Sequence, residues 1–256
     1  MSLISSDTLF HFTRSRDNLV GILTDEFKPR LSVESFHDIA RHLPPSDFMQ
    51  ECAIPMVCFC DIPLSQVGEH MKLYGHYGIG LKKTWGIKKG IAPVMYAHEY
   101  APGPLSIAKL VYLMAKMSQH GVPDNVTRFA LQPGALAYFL KPYEGQLRRE
   151  GAAPELVRFY DEREWRYLPA ETESIPAISP QDLADPVTSR SVREMVDSLP
   201  PLGFDPWDIN YIVVKSDDEA LDMFRDIERI KEGYTQDEKD LLKTKIISAE
   251  RIAADF

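Results

Sequence analysis

Thr8-Leu9-Phe10-His11-Phe12, followed by Asp17-Asn-Leu19-Val-Gly-Ile22-Leu23-Thr-Asp-Glu-Phe27, decides the class of fold. A short β-prone run passes into a segment whose apolar residues Leu19, Ile22, Leu23 and Phe27 recur at helical spacing until Pro29 stops it. Asp17 is expected to cap that helix, which leaves His11-Phe12-Thr13 at the joint. The step repeats further on. Ile54-Pro-Met-Val-Cys-Phe-Cys-Asp-Ile62 reads as a buried strand ended by Pro63, and Leu64 to Leu73 as a short amphipathic helix. Tyr77–Leu81 and Ala92–Tyr96 are two more strands, expected to form a hairpin across the basic turn Lys82–Lys89.

Outward from there, Pro104 to Gln119 sets Leu105, Ala108, Leu110, Val111, Met114 and Met117 on one helical stripe, and Asn125 to Leu140 supplies a second helix or helix pair. Glu162 to Leu168 alternates as a strand does, and Pro169 ends it. A Pro-rich connection carries a short helix at Ser191–Leu199 before Ile209-Asn-Tyr-Ile-Val-Val-Lys215, the clearest strand in the chain. The last fifty residues read helix, helix, strand: Asp217 or Asp218 caps the first helix, and Thr235 with Glu238 forms a capping box on the second. Short strands with helices between them predict an α+β domain rather than a doubly wound sheet. One domain over 1–256 is expected, with a helical insertion at about 104–150.

The chain has 256 residues, 44% of them hydrophobic, enough to bury a sizeable core. With 38 Asp and Glu against 29 Lys and Arg, the net charge of -9 argues against broad nucleic-acid binding. The three cysteines, Cys52, Cys58 and Cys60, suit a reducing compartment. Cys58 and Cys60 share a strand face, but two thiols without a second pair make no zinc site, and no metal is expected. The N-terminus lacks a signal-peptide pattern, and no stretch approaches the roughly 20 apolar residues of a membrane span. The expected location is therefore cytoplasmic, with no membrane partner.

No P-loop, GxGxxG or GxSxG motif is present. Three segments set polar residues among apolar ones: His11 and Thr13, Tyr74 and Tyr77, and Glu162 and Glu164. A histidine can hydrogen-bond a ribose hydroxyl, a tyrosine can stack on a nicotinamide ring, and a carboxylate can stabilise an oxocarbenium-like centre. Arg14 and Arg16 follow directly, where a guanidinium can hold a pyrophosphate. These are the parts needed to break the N-glycosidic bond of NAD. The bland alternatives are a histidine bonded to a backbone carbonyl, core or rim tyrosines, and a strand carboxylate paired with Arg163, Arg166 or a lysine.

The order His11-Phe12-Thr13, Pro55 to Gln66, Tyr74 to Leu81, Pro93-Val-Met-Tyr96, Phe159-Tyr-Asp-Glu-Arg-Glu-Trp-Arg-Tyr167 and Lys245-Ile-Ile-Ser248 resembles the AbiGi family of abortive-infection proteins over nearly the whole chain. That resemblance implies a phage-resistance component, sometimes the antitoxin half of a two-gene system. A more distant likeness is to ADP-ribosyltransferases of the DarT and RNA phosphotransferase type. It implies a transferase-like sheet with inserted helices and NAD as substrate. Glu164, His11 and Glu162 would be catalytic, and His11, Thr13, Arg14, Tyr74 and Tyr77 would bind NAD. The acceptor would be a nucleic acid or a protein. The alternatives are an inactive antitoxin or binding module that neutralises a partner toxin, and an NAD glycohydrolase.

Overall fold

A computed structural model describes residues 5–37, 51–98, 100–119, 136, 138–147, 155–170, 178–230 and 233–255. Its strands, in chain order, are β1 (Thr8–Thr13), β2 (Arg30–Ser35), β3 (Glu51–Cys60), β4 (Tyr77–Lys82), β5 (Ala92–Pro93), β6 (Met95–Ala97), β7 (Leu140–Pro142), β8 (Gly145–Leu147), β9 (Glu155–Val157), β10 (Glu164–Tyr167), β11 (Ile209–Val214) and β12 (Ile246–Ser248). The main sheet has eight strands in the order β12-β11-β4-β1-β3-β10-β5, with β2 also on β3. Every pairing in it is antiparallel except β11 with β12. The fold is therefore α+β with a mixed, mostly antiparallel sheet, as expected.

Alternation along the strands divides the core in two. Leu9, Val57, Phe59, Ile79, Leu81, Ile212 and Val214 pack on one face with Leu19 and Leu23 of the Arg16–Asp25 helix and Met223 and Ile227 of the Asp217–Ile230 helix. Phe10, Phe12, Cys60 and Val213 pack on the other with Val67 and Met71 of the Val67–Tyr74 helix and Ile252 near the end of the chain. A sheet covered on both faces explains the near-continuous apolar runs in β3 and β11. The two glycines of β4 have a packing reason. A Cβ on Gly80 would lie 2.7 Å from the Phe10 ring, and one on Gly78 2.7 Å from the Phe12 ring. These positions are in register with Phe10 and Phe12, whose rings stack at 5.6 Å.

Several local expectations are corrected. Ser15, not Asp17, caps the first helix, its hydroxyl accepting from the Asn18 N–H at 3.2 Å, while Asp17 sits in the first turn. The hairpin does not form: β4 lies between β1 and β11, and β5 pairs with β10. The segment between them is no open turn, since Lys83–Lys88 is helical and buries Trp85. Ser216 offers its hydroxyl to the Glu219 N–H at 3.4 Å, ahead of Asp217 and Asp218 in the helix. A further helix, Ala249–Asp255, follows the closing strand.

The Thr235–Glu238 capping box is present. The long helix runs Pro102–Gln119, with Ala108 buried but Leu110 45% exposed and so off the expected stripe. Most of Asn125–Leu140, and the side chains of Val111, Met114 and Met117, lie outside the described residues.

Candidate functional site

Arg163 has a left-handed backbone (φ 44°) between the 3-10 turn Phe159–Glu162 and β10. Glu162 is therefore not on the strand with Glu164, contrary to the sequence reading. The sharp turn brings both carboxylates to one ammonium all the same. Lys141 of β7 donates to Glu162 Oε2 at 2.6 Å and to Glu164 Oε2. Arg166, two residues along β10 and on the same face as Glu164, is fully buried. It donates to Glu164 Oε1 at 2.5 Å, to Glu34 Oε2 at 2.8 Å and to the Tyr138 carbonyl at 2.5 Å. The Tyr74 hydroxyl donates to Glu162 Oε1. The Glu164 N–H donates to the Tyr96 hydroxyl at 2.8 Å.

Three carboxylates and two cations thus share one low-dielectric cluster. Burial raises the Glu164 pKa, but Lys141 and Arg166 outweigh it and hold it down at about 2. For Lys141, burial lowers the pKa and Glu164 and Glu162 more than reverse it, so it stays charged. Burial and then the Glu162 charge push the Tyr74 hydroxyl far above its ordinary range. Burial likewise raises the Cys58 and Cys60 thiols, which removes them as nucleophiles near neutral pH. Such a cluster has its lone pairs and protons committed to one another.

The other predicted residues are elsewhere. Phe10 pairs with Cys60, and Cys60 pairs with Glu164, so these three share a face. His11 is on the opposite one, its ring edge-on to Phe27 at 5.3 Å and to Phe59 at 5.9 Å. Phe10–Cys60 is the one register pair between β1 and β3. Where that ladder would continue, His11 Nδ1 donates to the Cys58 carbonyl at 2.8 Å, which fixes the proton on Nδ1. Burial lowers the His11 pKa. The Tyr77 hydroxyl donates to Glu219 at 3.0 Å, and the Thr13 hydroxyl accepts from Asn18 at 2.9 Å. Arg14 is exposed, and the Arg16 guanidinium is paired with Asp226. Of the seven named candidates, Glu162, Glu164 and Tyr74 come together; His11, Thr13, Arg14 and Tyr77 do not join them.

A cavity of about 360 Å³ opens beside the cluster, lined by Ile62, Gln66, His70, Leu73, Val157, Arg158, Asp161, Glu162 and Arg163. His70 lies against the Tyr74 ring at 4.4 Å and the Phe12 ring at 5.6 Å. Sequence reading missed His70, Lys141 and Glu34. Lys141 carried a signal, a lone cation in Phe139-Leu140-Lys141-Pro142-Tyr143; Glu34 in the polar run Ser32-Val33-Glu34-Ser35 carried none. Among the described residues, no helix is long and apolar enough to cross a membrane.

Fold and site together define an α+β protein whose candidate catalytic carboxylates are locked in a buried ionic cluster beside a cavity. Residues 25–215 match the family described as "Putative abortive phage resistance protein AbiGi, antitoxin". The abortive phage resistance protein AbiGi of Lactococcus lactis subsp. cremoris is 30% identical over 230 residues, an alignment that covers 81% of this chain and 91% of that protein. The chain belongs to the AbiGi family of abortive phage resistance proteins. No solved structure matches it.

Proposed function

We propose that, within abortive phage resistance, this chain acts as a binding module that neutralises a partner toxin, in keeping with the antitoxin description of its family. The observation that carries this reading is the separation of His11 from Glu164, His11 Nδ1 being bonded to the Cys58 carbonyl and Glu164 to Lys141 and Arg166. A transferase would need both to face one bound NAD. A carboxylate salt-bridged to two buried cations is also a poor general base, because its basicity is spent on them.

Charge supports the same reading. Residues 217–256 hold twelve Asp and Glu against seven Lys and Arg, more than half of the chain's excess negative charge. Leu221 and Phe224, one helical turn apart on the Asp217–Ile230 helix, are 63% and 41% exposed. An acidic segment with exposed apolar residues suits a basic, nucleic-acid-directed toxin.

NAD-dependent ADP-ribosyl transfer is the second reading, favoured by one observation: Glu162, backed by Lys141 and Glu164, lines an open cavity. The deciding experiment incubates the purified chain with labelled NAD, alone and with DNA, RNA and cell extract, beside Glu164→Gln. In parallel, the chain is expressed alone and with a candidate toxin of the abortive-infection type. Expected are no turnover, no growth arrest by the chain alone, and restored growth with a co-purifying toxin. Label transfer or nicotinamide release that vanishes in Glu164→Gln would overturn the proposal in favour of the enzyme.

A further inference from the structure

The cavity beside the cluster has features that toxin neutralisation does not call on. Its acidic residues are answered: Glu162 by Lys141 and the Tyr74 hydroxyl, and Asp161 by Arg158 at 3.8 Å. Arg163 is different: the residue lines the cavity, and its guanidinium makes no ion pair or hydrogen bond with any described residue. The cavity therefore carries a cation that no described carboxylate balances.

Arg163 also sits where an L-residue is strained, at φ 44°. The turn into β10 needs that conformation, and its backbone is fixed there: the Arg163 N–H donates to the Tyr160 carbonyl at 3.3 Å and its carbonyl accepts from the Asp61 N–H at 3.0 Å. Glycine would meet the same need without strain, so the turn alone gives no reason for an arginine.

His70 is the third element. It is half-buried between Tyr74 and Phe12, and neither ring nitrogen has a hydrogen-bond partner among the described residues. Burial, followed by the Lys141 charge, lowers its pKa to about 4. A neutral imidazole presents one donor and one acceptor, the pair a hydroxyl group satisfies. A volume of about 360 Å³ is near the lower end of the ~300–1,000 Å³ range of ligand pockets and suits a sugar phosphate or a mononucleotide.

We propose that this cavity binds a small phosphate monoester, its anionic end held by Arg163 and its hydroxyl end read by His70. The proposal is independent of whether the chain neutralises a toxin. A guanidinium grips a phosphate through parallel charge-assisted hydrogen bonds.

The test is titration of the whole chain with ribose 5-phosphate, AMP and inorganic phosphate, followed by calorimetry and by melting temperature. Wild type should bind both esters more tightly than inorganic phosphate. Arg163→Gln should weaken ester binding roughly tenfold or more, and His70→Ala should weaken the esters but not inorganic phosphate. Arg163→Gly supplies the internal check. It should melt about 2 °C or more higher without ligand, because strain is relieved, yet show no ligand-dependent rise. Absence of binding by all three probes at millimolar concentration would overturn the proposal, as would undiminished ester binding by Arg163→Gln. Inorganic phosphate bound as tightly as the esters would overturn the ester assignment, since His70 would then read nothing.

Discussion

His11 and Glu164 stand on opposite faces of one sheet, although the strand between them, β3, touches both. Its Cys58 carbonyl accepts the hydrogen bond from His11 Nδ1, and its Cys60 lies in register with Glu164. On the His11 side the surroundings are Phe27 and Phe59; on the Glu164 side they are Lys141 and Arg166. One residue is held as a neutral strut and the other as a buried ion, and the predictions follow from that division.

Lys141 is the member of the cluster whose loss should cost most, because Glu162 and Glu164 both depend on it. Lys141→Met keeps the aliphatic stem and removes the charge, leaving carboxylates buried without their shared partner. The expected destabilisation is about 3–5 kcal/mol, read from denaturant melts. Adding Glu162→Gln and Glu164→Gln should recover much of it, since the uncompensated charge is then gone. A single-mutant cost below about 1 kcal/mol would mean that water screens the cluster as it does a surface pair.

Acid stability should depend on Glu164. Its folded pKa is depressed to about 2, so its contribution to stability is present above the unfolded carboxylate pKa of about 4.3 and is lost as pH falls through the folded value. Wild type should therefore lose stability steadily as pH falls from about 4.5 towards 2. Glu164→Gln should start lower at pH 7 and show a flatter acid limb. Parallel curves for the two proteins would contradict the ionised state of Glu164.

Much of this fold was legible in the sequence because its elements follow local rules. Leu19, Ile22 and Leu23 mark a helix by period, β11 declares itself by its β-branched run, and the Thr235–Glu238 box is a pattern of four residues. What was not legible depends on pairings distant in sequence. The β4–β5 hairpin failed because β4 is claimed by β1 near the start of the chain and by β11 near its end, and no local periodicity encodes that choice. The site failed in the same way. Glu164 and Arg166 are visible as alternate residues, but Glu34 and Lys141 reach them from β2 and β7. His11 was misplaced because period-2 alternation fixes only relative faces, and which face carries the carboxylates follows from the β3–β10 register.

His11 and His70 should titrate differently from free imidazole. Both have lowered pKa values, by burial in each case, with His70 at about 4. For a depressed imidazole the unfolded state takes up the proton first, so stability is constant above about pH 6.5 and declines as pH falls below it. Nitrogen-detected NMR should show the His70 ring neutral at pH 6 and His11 neutral at pH 7.5 as the Nδ1–H tautomer. His11→Leu should flatten the stability curve below about pH 6.5 while losing the hydrogen bond to Cys58, at a cost of about 1–3 kcal/mol. A His11 that titrates at or above the free-imidazole value of about 6.5 would sink the strut interpretation.

Gly75 offers the sharpest test of how the first strand is tied to the cavity wall. It ends the Val67–Tyr74 helix with φ +117°, and its N–H donates to the Met71 carbonyl at 2.8 Å. A Cβ at this position would lie 2.2 Å from the Thr13 carbonyl oxygen and 2.6 Å from Arg14 Cα. Both obstacles are backbone, so neither can swing aside as a side chain would, and the end of β1 would have to move. Gly90 provides the control: its φ is +77°, but a Cβ there would meet nothing within 4 Å. Gly90→Ala should thus cost only conformational strain, about 1–2 kcal/mol. Gly75→Ala should cost about 3 kcal/mol or more, adding the clash to the strain. Because Tyr74 precedes Gly75 and holds Glu162, the displacement should also move the Tyr74 ring resonances in NMR spectra, which Gly90→Ala leaves in place. Equal costs for the two substitutions, with unshifted Tyr74 signals, would show that β1 and the helix end are not in contact as the structure has them.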